Sequence, residues 1–173
     1  ALAVLVSGAD PGDSAVASAG AFEVVGETAH PCINTSDLRA VFEEQSVIPS
    51  LADALAARAR EDPAGAEASL RPCFAEAERV FTYGAVISSS HPRGVVERFK
   101  ITNPNNIPCS VAFSLGAAAA EGAAGDLEAF SIAEGCEAAE IGPHEFFYVP
   151  VHFRPTEMRS YRCAFAAVVA DGD

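Results

Sequence analysis

Residues 99–116, "FKITNPNNIPCSVAFSLG", constrain the fold more than any other stretch of this 173-residue chain. Phe99 and Ile101 alternate with Lys100 and Thr102, and Val111, Phe113 and Leu115 alternate with small or polar neighbours. A period of two sends successive side chains to opposite faces, so each half reads as a strand with one buried face. Between the halves, Pro104 cannot donate a ladder hydrogen bond and biases Asn103 away from helix. Asn105 and Asn106 tolerate positive φ, which predicts a turn at those positions. Pro108 falls where a strand begins, a position that tolerates a missing N–H. Cys109 needs only a small apolar volume there. The stretch predicts a strand, a corner and a second strand, which is scaffold and not a reactive site.

The pattern recurs downstream. "RVFTYGAVI" (79–87), "FSIAE" (130–134), "FYVPVHFRP" (147–155) and "YRCAFAAVV" (161–169) are further strand candidates. Phe147, Val149, Val151 and Phe153 share one face; Tyr161, Cys163, Phe165, Ala167 and Val169 share another. Ser88–Gly94 and the low-complexity "GAAAAEGAAGDLEA" (116–129) read as loops. Roughly seven short strands separated by turns predict a mainly β, immunoglobulin-like sandwich over residues 78–173.

Residues 27–77 differ in character and predict a helical linker. "INTSDLRAVFEEQ" (33–45) offers Asn34, Thr35 or Ser36 as an N-cap and Asp37 in the first turn, with Leu38, Val41 and Phe42 on one face. Glu43 and Glu44 read as the solvated face of that helix. "PSLADALAARARED" (49–62) repeats the design, with Ser50 as cap and Leu51, Ala54, Leu55 and Arg58 at helical spacing until Pro63 and Gly65. Residues 1–26 hold two strand candidates, "ALAVLVSG" and "AFEVVGE", joined through an Asp-Pro-Gly-Asp turn. Two strands alone do not bury a face stably. They read as the terminal strands of a truncated upstream unit, and the chain, which does not begin with Met, as a piece of something longer.

The formal net charge is −13, with 12 acids against 4 bases in residues 1–77 and 12 against 7 in residues 78–173. Neither part carries a basic stripe, which argues against nucleic acid and anionic membrane as partners. No apolar run approaches the ~18 residues of a spanning helix. Cys32, Cys73, Cys109, Cys136 and Cys163 are odd in number, widely spaced and without C-x-x-C, which suits buried thiols in a reducing compartment. His144 and His152 lack the close pairing of a zinc site, and "HPC" (30–32) reads as a turn. No nucleophile–base constellation or phosphate loop is present in the sequence, so no catalytic, cofactor or metal site is assigned. One basic group stands out. Arg98, Lys100, Arg154, Arg159 and Arg162 occupy outward positions or turns and form a candidate docking face for an acidic partner or a neighbouring repeat. Ordinary solvation is the competing reading.

"VVERFKITNPNNIPCSVAFSLG" followed by "FSIAEGCEAAEIGPHEFFYVPVHFRPTEMRSYRCAFAAVV" resembles the ASH domains of the hydin family and related ciliary proteins. The resemblance runs over most of residues 78–171. It is carried by Phe99, Ile101, Asn103 and Pro104, by Ile107-Pro108-Cys109 and Phe113, and by Phe130 and Ile132. It continues through Ile141, Pro143, His144, Val149, Val151, Phe153, Pro155, Thr156, Tyr161 and Phe165. Upstream, "FEVVGETAHPCINTSDLRAVFEEQ" is similar to the segment joining successive repeats in that family. The resemblance implies an ASH or PapD-like sandwich without catalytic residues or cofactor. It also implies a structural role in the axoneme of a motile cilium, on a projection of the C2 microtubule of the central pair. The implied partners are neighbouring repeats, other central-apparatus proteins and, directly or indirectly, tubulin. A second implication is an adaptor of the sperm-protein type, binding a peptide at a centrosome, basal body or membrane contact.

Overall fold

The computed structural model describes residues 30–61, 71–86, 89–117 and 126–170. The N-terminal strand candidates, Pro63 and Gly65, and most of the Ala-rich loop lie outside these residues.

The chain folds as an immunoglobulin-like β-sandwich preceded by short helices. One sheet holds β4 (Val95–Thr102), β8 (Phe146–Phe153) and β6 (Phe130–Ile132), in the order β4-β8-β6. The other holds β7 (Ala138–Ile141), β5 (Cys109–Ala117) and β9 (Cys163–Val169), in the order β7-β5-β9. Every pairing in both sheets is antiparallel. The period of two read from the sequence is the one the fold uses: Phe99, Ile101, Val111, Phe113, Val149, Val151 and Phe153 are buried between the sheets. Phe113 stacks on Phe147, and Phe165 meets Phe99 edge-on, ring centroids 5.9 and 5.4 Å apart, so the two sheets interdigitate through rings. β7 carries too few large apolar residues to announce itself in the sequence.

Pro150 lies in the central strand β8, where a missing N–H ought to break the ladder. Its carbonyl accepts from Ala133, just past the end of β6, so its nitrogen faces the side where pairing with β6 has already stopped. Between β8 and β9, the Tyr161 hydroxyl accepts from the Glu157 backbone N–H at 2.8 Å. A tyrosine two residues before this strand, bonded back to the preceding corner, is the tyrosine corner of immunoglobulin-like folds. It identifies β9 as the strand that a further edge strand ordinarily flanks.

The segment expected to be a linker contributes strands as well as helices. α1 (Leu38–Val41) leads to β1 (Ser46–Ile48), then α2 (Leu51–Glu61), β2 (Cys73–Ala75) and β3 (Val80–Thr82). β1 pairs in parallel with β2, and β2 pairs antiparallel with β3, forming a third small sheet. The expected boundary at 77/78 therefore falls in the β2–β3 turn. Phe42 stacks on Phe74 and Phe81 and meets Phe99 edge-on, which places residues from both sides of that boundary in one aromatic cluster.

Two helix caps show what local pattern does and does not reveal. Asp37, not Asn34, Thr35 or Ser36, is the N-cap of α1, with its carboxylate accepting from Arg39 N–H at 3.0 Å. Asn34 Oδ1 instead accepts from Ser36 and Asp37 and shapes the approach to the helix. Ser50 caps α2 as expected, its Oγ accepting from Asp53 N–H. Glu78, 27 residues further on, adds a second cap by accepting from Leu51 N–H and Ala52 N–H and from the Ser50 hydroxyl. Those backbone donors, with Ser50, lower the Glu78 carboxyl from the ordinary 4.5 to about 2. Because the folded-state value is depressed, the cap contributes in full above pH 4.5 and is lost as pH falls through about 2. The amides of Leu51 and Ala52 should lose hydrogen-exchange protection over that window, and in Glu78→Gln they should be less protected already at pH 7.

The corner at 103–108 is built differently from expectation. Asn105 and Asn106 are not among the residues with positive φ; His144, on the facing turn, is, at φ 58°. The turn comes from Asn103, which is fully buried. Its Oδ1 accepts from Asn105 N–H at 2.9 Å, and its Nδ2 donates to the carbonyls of Ile107, Ile141 and Gly142 at 2.8–3.0 Å. Asn103→Ala should cost about 2–4 kcal/mol, because three carbonyls and an N–H lose a buried partner. Urea unfolding checks this, and a loss below about 0.5 kcal/mol, the size of an ordinary surface change, would refute it.

Candidate protein-docking surface

Of the five cations of the predicted docking face, Arg98 and Lys100 gather around Glu43 and Glu44, Arg159 and the Arg162 backbone around Asp126, and Arg154 stands apart. Arg98 and Lys100 project from the outward face of β4, opposite Pro150 and Tyr148 in the ladder. Arg98 lies over the Tyr148 ring at 4.8 Å and Lys100 over the Phe146 ring at 4.4 Å, a cation–π arrangement on a half-open surface. Phe146 is half exposed, at 50%. Cations on rings are a surface suited to carboxylates.

That surface already holds carboxylates from the same chain. Arg98 makes a two-pronged contact to Glu44 at 3.0 and 2.5 Å, and Lys100 Nζ donates to Glu43 at 2.6 Å. The Tyr148 hydroxyl also donates to Glu43, at 2.5 Å. Lys100 first, then Tyr148, hold the Glu43 carboxyl below its usual range, and the same hydrogen bond pushes the Tyr148 phenol up. Glu43 and Glu44 are thus not the solvated face of a helix. α1 ends before them, and the chain turns over the edge of β4.

The turn seals that edge. Asn34 N–H donates to the Thr102 carbonyl at 2.9 Å, and Gln45 Nε2 donates to the Arg98 carbonyl at 3.2 Å. Both are β4 carbonyls directed away from β8. Gln45 Nε2 also reaches Glu97 at 3.0 Å, while its Oε1 is buried with no partner among the described residues. Phe42 goes into the core, Glu43 and Glu44 go to the outer face, and Gln45 goes to the backbone between them. This strap covers the kind of open edge that otherwise recruits foreign strands.

The second cluster centres on Asp126. Arg159 pairs with Asp126 and with Glu157 at 3.1 Å, and lies over the Tyr161 ring at 4.1 Å. Arg162 takes part through its backbone, its N–H donating to Asp126 Oδ2 at 2.9 Å. Arg159 chiefly, then this N–H, lowers the Asp126 carboxyl. Arg154 is exposed beyond β8, and its N–H donates to the Ala129 carbonyl. Gly94, at φ 76°, lies against this point; a Cβ there would come 2.5 Å from the Phe153 carbonyl. Alternation could have singled out Phe146 and Tyr148 once the β4–β8 register was known. Asp126 sits in Ala-rich sequence that gives no signal.

His144 is hydrogen-bonded to Asn106 at 2.7 Å, and His152 lies on the outward face of β8 between Val96 and Ser131. Among the described residues, no group of three or more His, Cys, Asp or Glu is placed to hold a metal. Burial raises the thiol pKa of Cys73 and Cys109 and pushes Cys163 up to about 11, which keeps these sulfurs protonated. No described helix is long and apolar enough to cross a membrane. No family model matches the chain, and no curated protein or solved structure matches it.

Reversing the charges in Arg98→Glu/Lys100→Glu should release the strap, seen as faster hydrogen exchange over residues 39–45 than in the parent. Adding Glu43→Lys and Glu44→Arg should restore protection. Equal exchange in all three proteins would mean that the ion pairs do not hold the segment.

Proposed function

We propose that the chain is a structural repeat segment of a hydin-like protein, acting as a scaffold in the central apparatus of the motile axoneme. The proposal rests on the sequence resemblance and on one structural observation: the upstream segment and the sandwich share a single aromatic cluster. Phe42 and Phe74 come from the segment, Phe81 from the hairpin and Phe99 from the sandwich. A joint of this kind sets the angle between a sandwich and whatever precedes it, as a load-bearing array of repeats requires. Its binding partners would be neighbouring repeats and other projection proteins.

The adaptor reading draws on the cation–ring surface of Arg98, Lys100, Tyr148 and Phe146, which does bind carboxylates. Glu43 and Glu44 occupy it in the same chain, so an acidic peptide would first have to displace the strap. The scaffold reading needs no such step and is preferred.

Tagging the parent protein in a ciliated cell and averaging subtomograms of isolated axonemes tests the two readings. Tag density on one central-pair projection is the expected result. Density at the basal body, or loss of the tag on detergent extraction, would overturn the scaffold reading in favour of the adaptor.

A further inference from the structure

We infer that the end of the sandwich where β8 finishes and β4 and β9 begin is a docking surface for an acidic segment of another protein. Arg93, Arg154 and Arg162 meet its carboxylates there, and Met158 meets its apolar side chains. The inference does not depend on the axonemal assignment.

The ladder brings these residues together from distant stretches. Val95, the first residue of β4, pairs with Phe153, the last of β8, so the 91–94 turn lies beside the 154–162 loop. A Cβ on Gly94 would come 3.1 Å from the Arg154 Cβ. The Arg154 side chain pairs with no acid, but its backbone is tied to the cluster around Asp126. Its N–H donates to the Ala129 carbonyl, and Ala129 N–H donates to the Asp126 carbonyl. The Asp126 carboxylate in turn takes Arg159 and the Arg162 N–H. Four of the chain's 11 Lys and Arg thus gather at one end of a molecule of net charge −13.

The carboxylates at this end leave most of that charge uncompensated. Asp126 and Glu157 are both taken by Arg159. Arg93, Arg154 and Arg162 are exposed, and their side chains pair with no described acid. Glu128, the remaining described acid of these segments, is exposed and likewise unpaired, which leaves three free cations against one free carboxylate. The Arg98–Lys100 cluster is the opposite case, since Glu43 and Glu44 already fill it. A guanidinium presents a fork of donors that matches a carboxylate, so the open end suits acids from another chain.

Met158, the chain's only methionine, is fully exposed on the same loop. The loop holds it there. On one side the Glu157 N–H donates to the Tyr161 hydroxyl; on the other, Arg159 lies over the Tyr161 ring and pairs with Asp126. Tyr161 itself packs edge-on against Phe153. A single exposed apolar residue is ordinary on a protein surface. A fixed methionine among free arginines is the composition that interface centres favour, and a loop fixed beforehand binds without a large ordering cost. A polyphosphate fits this end less well. It offers Met158 no apolar partner, and a long polyanion would run past three cations onto a surface that repels it.

Fluorescence anisotropy of the full chain with a labelled synthetic peptide, glutamates around a central pair of leucines, tests the inference at ~50 mM salt, where exposed charges are weakly screened. The peptide should bind, and more weakly as salt rises. Arg154→Gln/Arg162→Gln should lower the affinity about tenfold. Met158→Ser should bring it down to that of a peptide with alanines in place of the leucines. The substituted side chains are exposed, so the variants should keep the parent's urea midpoint. Absence of binding, or binding that both sets of substitutions leave unchanged, overturns the inference. A loss confined to Arg98→Gln/Lys100→Gln would place the site under the strap and equally overturn it. So would tighter binding of a single-stranded oligonucleotide of the same charge, which would assign this end to nucleic acid.

Discussion

The Asn103 side chain is the point at which the two sheets are tied together. It sits just past β4 and bonds to the carbonyl of Ile107, which leads into β5, and to those of Ile141 and Gly142 at the end of β7, both strands of the opposite sheet. Only a primary amide supplies two donors and an acceptor from so short a side chain. Aspartate would turn oxygens toward three carbonyls, and glutamine would overshoot. Because the corner fixes where β5 begins, it also fixes which face of β5 receives Val111 and Phe113. A one-residue slip would turn every apolar side chain outward. The buried amide therefore secures the register on which the whole core depends.

The strap over β4 solves a second problem with four consecutive residues. Phe42 adds a ring to the core, Glu43 and Glu44 neutralise the two outward cations, and Gln45 satisfies a backbone carbonyl on the edge. Exposed ion pairs of this type contribute little individually. They act together with Gln45: two cations at alternate positions of β4 meet two consecutive acids of the strap beside the Gln45 bond to the backbone. The same neutralisation means that Arg98 and Lys100 are already paired with acids of their own chain.

The sandwich was legible because its information is local. Alternation in residues 99–102, 111–115 and 147–153 specifies strand, face and burial together, and Pro104 and Pro108 mark the strand ends. The parts that were not legible depend on partners distant in sequence. Glu78 caps a helix that begins 27 residues earlier, and Glu43 finds Lys100 and Tyr148 at separations of 57 and 105. β1 and β2 are three residues each and pair across α2, so neither is long enough to show a period. Asn103 was visible as the residue before a proline, but its burial was not, since an asparagine in Asn-Pro-Asn-Asn looks like any exposed turn. Arg98 and Lys100 were correctly read as outward, whereas the acids that meet them could not be identified without the fold.

The aromatic cluster gives these local solutions a mechanical consequence. Phe42 touches Phe74, Phe81 and Phe99, so the upstream segment cannot swing away from the sandwich without separating rings that pack at centroid distances of 4.3–5.2 Å. Buried rings of this size contribute several kcal/mol each when removed, far more than the surface ion pairs beside them. Bending at this joint is consequently opposed by the core, while the ion pairs and the Gln45 bond only set its angle. A joint held in this order, core first and surface second, resists bending chiefly through apolar packing, which salt does not screen as it screens exposed ion pairs. Those properties follow from where Phe42 sits in the chain, directly before the acids and the glutamine that fasten the strap to β4.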